Sequence, residues 1–272
     1  MTVERVVGTG ATSVVYAVRH AYFSESVAVK VVRLKGTSSA EALHWLRREA
    51  HVYGSIKDAR IPRAYYVDQL PDGNPCIVME LITGLTLQAL LKRGPLAPRA
   101  ACTLTLELLS ILEKVHTHGV IHRDIKPANL VLSRRNDDRL ELHLLDFGIA
   151  RSASFVSSEL AFAAGHPDPA VAGTPSYMAP ELLTGSVADA RSDLYAVGVV
   201  LYQALAGRLP YRGGCTMDVV NAILYNTPQD LRELVAAGPE AVPEIVHRAI
   251  AKLPAMRFQS AAEMQRALTL AL

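Results

Sequence analysis

The sequence predicts an α+β fold of two lobes: a small antiparallel β-sheet lobe carrying one main helix, then a larger, mainly helical lobe. Two patterns predict it. Up to Ile82 the chain runs in short stretches rich in β-branched and apolar residues, 14–18, 27–34, 64–67 and 76–81, broken by one helical stretch at 40–56. After Thr83-Gly84 the apolar residues take helical spacing, as in 100–118, where Leu104, Leu108, Ile111, Leu112 and Val115 recur on one face. The length of 272 residues exceeds that of a typical single domain and fits one large domain or two lobes around a cleft. Half the residues are hydrophobic, so a sizeable core is available.

The elements follow in order. Stretches 3–8 and 14–18 alternate as the strands of a hairpin, with Gly8 and Gly10 between them. Paired glycines mark ordinary turns as often as binding loops, although backbone N–H groups at such a turn can approach phosphate closely. Lys30 ends the run Val27-Ala28-Val29 and is followed by Val31-Val32. A lone lysine is usually solvated, but this setting predicts a buried strand and a lysine held in place. In the helix at 40–56, Glu49 follows Arg47 and Arg48 and is equally a charge on a solvated face. Met79 reads as core packing. The apolar stretch 194–207 contains Gln203 and falls short of the roughly 18 residues that span a bilayer.

Charge and cysteines narrow the classes. A formal net charge of +2 provides no broad basic field for nucleic acid or an anionic membrane. The three cysteines, Cys76, Cys102 and Cys215, are scattered without metal-ligand spacing and read as reduced, mostly buried thiols. Residues 1–10 hold charges and glycines where a signal peptide needs an apolar core, so a cytoplasmic location is expected.

The most informative run is His122-Arg123-Asp124-Ile125-Lys126-Pro127-Ala128-Asn129, followed by Asp146-Phe147-Gly148. Its residue types answer the needs of phosphoryl transfer to a hydroxyl, whose charge-rich transition state is served mainly by positioning and electrostatics. Asp124 can orient an acceptor hydroxyl and take its proton. Lys126 beside it balances charge on the moving phosphate. Asn129 and Asp146 offer hard oxygen ligands that suit Mg²⁺ bridging nucleotide phosphates.

These residues resemble the protein kinase family, and are most similar to its bacterial serine/threonine members. Gly8-Thr9-Gly10-Ala11-Thr12-Ser13-Val14-Val15 looks like the family's glycine-rich loop, with Ser13 in place of the third glycine. Val27-Ala28-Val29-Lys30 looks like its phosphate-binding strand, and Glu49 fits the ion-pair partner of Lys30. Gly173-Thr174-Pro175-Ser176-Tyr177-Met178-Ala179-Pro180-Glu181 resembles the end of its activation segment, and Asp193 and Arg257 fit two buried charges of the large lobe. The resemblance runs from about Val6 to the end of the chain.

It implies a single kinase domain over 1–272, with a small lobe and hinge at 1–82 and a large lobe at 83–272. It further implies ATP with Mg²⁺, or Mn²⁺ in its place, as the cofactor set. Asp124, Lys126, Lys30 and Glu49 would be catalytic, and Asn129 and Asp146 would hold metal. Gly8, Gly10, Val15, Ala28, Lys30, Met79, Glu80, Ile82 and Val131 would line the nucleotide pocket. The implied partners are proteins phosphorylated on Ser or Thr, with a dimer as a route to autophosphorylation. The implied location is the cytoplasm, or the cytoplasmic side of a membrane receptor kinase. No nucleic-acid partner and no membrane segment within this chain are expected.

Lys126 and Thr174 fit the serine/threonine class, while Ala128 stands where kinases preferring basic substrates often carry glutamate. Leu253 replaces the aspartate usual before Pro254, which removes a helix cap. A pseudokinase acting as a nucleotide-binding interaction module is the alternative, and usually lacks the lysine, the catalytic Asp or the metal Asp. None is missing here. A small-molecule phosphotransferase would lack Ala179-Pro180-Glu181.

Regulation departs most from the resemblance. Arg123 belongs to the class that receives an activation-segment phosphate, yet residues 160–171 hold no Ser, Thr or Tyr, and Ala170 occupies a position commonly phosphorylated in relatives. Either autophosphorylation falls on Ser152, Ser154, Ser157 or Ser158, or Asp168 provides a permanent charge. Asp168 in His166-Pro167-Asp168-Pro169 is also an ordinary turn residue.

Overall fold

The computed structural model describes residues 1–10, 12–34, 38–134, 138–147, 175–235 and 238–272. They fall into two compact units, one holding 1–83 with Phe147 and the other holding 84–146 with 175–272. Gly148, Ser152, Ser154, Ser157, Ser158, Asp168, Ala170 and Thr174 lie outside the described residues.

The first unit is built on an antiparallel sheet of β1 (Thr2–Thr9), β2 (Ser13–Arg19), β3 (Val27–Val32), β4 (Ala64–Gln69) and β5 (Pro75–Glu80), in the order β1-β2-β3-β5-β4. Alternation sorts its side chains. Val18, Val27, Val29, Cys76 and Val78 form a buried cluster on one face, with Tyr16, Phe23, Val31, Tyr66 and Leu70 packed against it. Helix α1 (Ser39–Ser55) packs against β4 and β5 through Ala42, Leu46, Glu49 and Tyr53, whose spacing puts them on one stripe. Covering on both faces explains the consecutive buried residues at the start of β3.

Two boundaries differ from expectation for local reasons. α1 begins at Ser39 because Ser38 and Glu41 form a reciprocal capping box. β3 ends at Val32, although the Arg33 N–H still reaches the Thr12 carbonyl at 2.8 Å.

In the second unit α2 (Leu87–Leu91) and α3 (Pro98–Thr117) precede a hairpin of β7 (Leu130–Arg134) and β8 (Leu140–Leu144), to which the two-residue β6 (Leu85–Thr86) adds an edge. These strands are not expected from the sequence, since Leu130–Leu132 and Leu142–Leu144 are buried at consecutive positions and carry no alternation. Helices α4 (Pro180–Leu183), α5 (Ala190–Ala206), α6 (Thr216–Tyr225), α7 (Val242–Ala249) and α8 (Ala261–Leu270) follow.

α5 is the apolar stretch noted at 194–207, and it is buried on nearly every side. It starts earlier because Asp189 caps its first turn, and it stops at Gly207, whose φ of 68° is left-handed. Gly198 lets α5 meet α7: a Cβ there would lie 2.7 Å from Ala249 Cβ and 2.8 Å from Ile250 Cγ2. Gln203, the polar residue within this apolar helix, accepts a 2.6 Å hydrogen bond from the Tyr177 hydroxyl.

Candidate active site

In the first unit the strand register gathers the residues expected around a nucleotide. Val15 pairs with Lys30 and Lys30 with Ile77, while Ala17 pairs with Ala28 and Ala28 with Met79. Val15, Ala28, Lys30 and Met79 therefore share one face of the sheet. Lys30 Nζ lies 2.7 Å from Glu49 Oε1, with side-chain exposures of 11% and 1%. The ambiguity over Glu49 is resolved: it belongs to the buried stripe of α1 and not to its solvated face.

Gly10 N–H donates to the Ser13 carbonyl at 2.8 Å and closes the turn between β1 and β2. Among the described residues a Cβ at Gly8 would meet no atom within 4 Å, one at Gly10 would make only an ordinary 3.6 Å contact with Ser13, and neither glycine has positive φ. Packing and backbone conformation thus do not account for these glycines. Glu80 N–H donates to the Arg63 carbonyl at 2.8 Å, and Ile82, two residues on, is half-buried.

In the second unit the loop between α3 and β7 carries the remaining residues. Gly119 turns the chain with φ 70°, and Arg123 takes a left-handed φ of 66° that a non-glycine residue adopts only when held. Asp193, in the first turn of α5, does the holding. Its carboxylate accepts from His122 N–H at 2.8 Å and Arg123 N–H at 2.9 Å, and lies 2.9 Å from His116 Nε2.

His122 is fully buried, and its ring ties the loop to the end of β8. Nδ1 accepts from Asp124 N–H at 3.3 Å, so the proton sits on Nε2, which donates to the Leu145 carbonyl at 3.0 Å. Burial pushes the His122 pKa down against the opposing pull of Asp193 and Asp124. The ring is a neutral strut.

Asp124 is reached by Lys126 Nζ at 2.7 and 3.0 Å and by Asn129 Nδ2 at 3.0 Å. Asn129 Nδ2 also donates to the Asp124 carbonyl at 2.8 Å. With the nitrogen so used, the amide oxygen is the Asn129 atom suited to a cation. Leu145 N–H donates to the Asn129 carbonyl at 2.8 Å, which links Asn129 to the residue before Asp146, itself left-handed at φ 54°. Val131, in β7, is buried just beyond Asn129. Among the described residues no group of three or more His, Cys, Asp or Glu is disposed to hold a metal.

Further along, Arg257 and Glu181 form a bidentate pair at 2.8 and 2.7 Å. Ser192 Oγ donates to Glu181 at 2.7 Å, and Arg257 also donates to the carbonyls of Ala251, Arg191 and Lys252. Burial raises the Glu181 pKa, but the hydrogen bonds from Arg257 and Ser192 outweigh it and leave it lowered. Leu253 supplies no side-chain cap to the turn at Pro254–Met256, as its identity predicts. Sequence reasoning missed His116 and Ser192, since nothing in the sequence separates them from other His and Ser residues.

The protein kinase domain model matches residues 1–266, and the chain belongs to that family. It is 34% identical over 264 residues to the serine/threonine-protein kinase PknB of Mycolicibacterium smegmatis, covering 96% of this chain and 41% of that protein. It is also 34% identical over 268 residues to the serine/threonine-protein kinase Pkn1 of Myxococcus xanthus, covering 98% of this chain and 38% of that one. The chain thus spans about two fifths of the length of these curated relatives. The crystal structure of the Mycobacterium tuberculosis PknI kinase domain superposes with a TM-score of 0.73 at 26% identity, covering 100% of this chain and 96% of that one. Among the described residues no helix is long and apolar enough to cross a membrane.

Proposed function

We propose that this chain is an ATP-dependent protein kinase that phosphorylates serine and threonine hydroxyls, its residues 1–272 acting as one catalytic domain. The observation that carries the reading is the Asp124 carboxylate, placed beside Lys126 Nζ at 2.7 Å and Asn129 Nδ2 at 3.0 Å on a loop fastened to Asp193. In this reading Asp124 orients the acceptor hydroxyl and takes its proton on a carboxylate oxygen. Lys126 sets a positive charge beside the transferring group. Lys30, positioned by Glu49, holds nucleotide phosphate, and the backbone around Gly8 and Gly10 approaches it without side chains in the way.

Within the first unit adenine would lie against Val15 and Ala28, held by the backbone of Glu80 to Ile82, with Met79 at the back of the pocket. The donor set of Asn129 and Asp146 fits Mg²⁺, which when bound neutralises charge on the phosphates. Mn²⁺ has the same ligand preference. Lys126 and Thr174 favour Ser/Thr over Tyr acceptors, and Ala128 argues against strong selection for basic residues near the acceptor.

The test is incubation with labelled ATP, Mg²⁺ and a generic protein substrate, followed by phosphoamino-acid analysis. Label on serine and threonine is expected. Label confined to tyrosine, or none on protein, would overturn the reading. Mapping of autophosphorylation in the same reaction should find phosphate at Ser152, Ser154, Ser157 or Ser158.

A further inference from the structure

Helix α1 carries Glu49, and its first turn is tied to the turn between β4 and β5 by side chains with no part in the proposed chemistry. Gln69 Nε2 donates to Ser39 Oγ at 2.7 Å and to the Gly73 carbonyl at 2.8 Å, and Ser39 Oγ donates to the same carbonyl at 3.2 Å. The three bonds close a ring. A carbonyl at that distance requires the nitrogen of the Gln69 amide, which fixes its orientation.

The turn is rigid in its own right. Gly73 N–H donates to the Leu70 carbonyl and Leu70 N–H to the Asn74 carbonyl, both at 2.9 Å. The Asp72 carboxylate accepts from Asn74 N–H at 3.0 Å and from Asn74 Nδ2 at 2.8 Å. Gly73 has φ 86°, a conformation that costs glycine little, and Leu70 packs on the apolar cluster of the sheet. The Gly73 carbonyl is therefore a fixed point of the sheet.

Ser39 precedes Glu49 by roughly 15 Å of helix, at about 1.5 Å per residue. The buried stripe of Ala42, Leu46, Glu49 and Tyr53 determines which face of α1 turns inward. An apolar stripe is non-directional and does not by itself fix where the helix rests along the sheet. The hydrogen-bonded ring adds a directional tie at its N-terminal end.

We propose that Gln69 is a positioning residue: by clamping Ser39 to Gly73 it sets where α1 rests on the sheet and so keeps Glu49 Oε1 against Lys30 Nζ. This rests on the phosphotransfer reading for its consequence in activity, while the clamp itself is open to a measurement that needs no activity. Gln69→Ala removes the donor. Gln69→Glu keeps the size but places an oxygen against the Gly73 carbonyl.

Hydrogen exchange on the whole chain should show α1 amides exchanging about three- to tenfold faster in both variants, with β2 and β3 amides unchanged, the scale of one or two modest hydrogen bonds. Phosphotransfer kcat should fall by a similar factor. In a Glu49→Gln background, Gln69→Ala should lower kcat no further, which a general loss of stability would not reproduce. Unchanged α1 exchange in both variants, or an equal kcat loss with and without Glu49, would overturn the proposal. A wild-type chain that transfers no phosphate would sink the kinase reading instead, and the exchange result would still decide the clamp.

Discussion

A carboxylate as buried as that of Glu49 persists in a fold only when a cation meets it, and Lys30 does so at 2.7 Å. Glu49→Gln should therefore lower phosphotransfer on the order of tenfold while nucleotide still binds, because the lysine loses its positioning charge. Steady-state kinetics beside nucleotide titration checks this, and equal activity would contradict it. Asp146→Ala should weaken nucleotide binding in Mg²⁺ and leave binding in EDTA unaltered, as measured by calorimetry in the two buffers. His122 adds a pH dependence. Its pKa in the fold lies below the ordinary imidazole value of about 6.5, so as pH falls the unfolded chain takes up the proton first. Its contribution to stability is complete above the unfolded value and declines as pH drops through that value towards the folded one. Melting temperatures between pH 7.5 and 5.5 should show the loss, and His122→Gln should reduce it.

At the scale of elements, caps and close approaches decide where helices begin and how they pack. Gly198 lies where α5 meets α7, and a methyl there would fall 2.7 Å from Ala249 Cβ. Gly198→Ala should cost about 1–3 kcal/mol through overpacking, despite the better helix propensity of alanine. A melting temperature equal to wild type would show that α7 moves aside freely. Helix α1 and the strands of the first unit were legible in the sequence to within one or two residues, because alternation and helical spacing are local signals. The earlier starts of α1 in this unit and of α5 in the second came from Ser38 and Asp189, whose capping depends on backbone geometry. The β6–β8 sheet was not legible, since β6 has two residues and the buried positions of β7 and β8 are consecutive and do not alternate. Gln203 interrupts an apolar run in the sequence, and its partner Tyr177 lies 26 positions away, beyond the reach of a local pattern.

For the whole molecule, the Arg257–Glu181 pair shows how residues far apart in sequence are joined. Arg257 is fully buried in side chain, and removing it would strand Glu181 beside Ser192. Arg257→Ala should cost about 3–5 kcal/mol, read as a clear fall in melting temperature. Because the folded Glu181 pKa is lowered, its contribution is present above the ordinary carboxylate range and is lost as pH falls through the folded value. The acid-side loss of stability should be shallower in Arg257→Ala. The candidate site was legible because its residues recur in fixed order at 122–129 and 146. The Asp193 contacts that hold that loop link residues some 70 positions apart in the chain, and only the resemblance hinted at them. If Asp124 takes the hydroxyl proton, Asp124→Asn removes that step, since the side chain keeps its shape and loses its basicity. Phosphate transfer to a protein substrate should fall by about 10²- to 10⁴-fold while the melting temperature and nucleotide affinity stay near those of the wild type. Transfer at near wild-type rate by the folded variant would exclude Asp124 as the base.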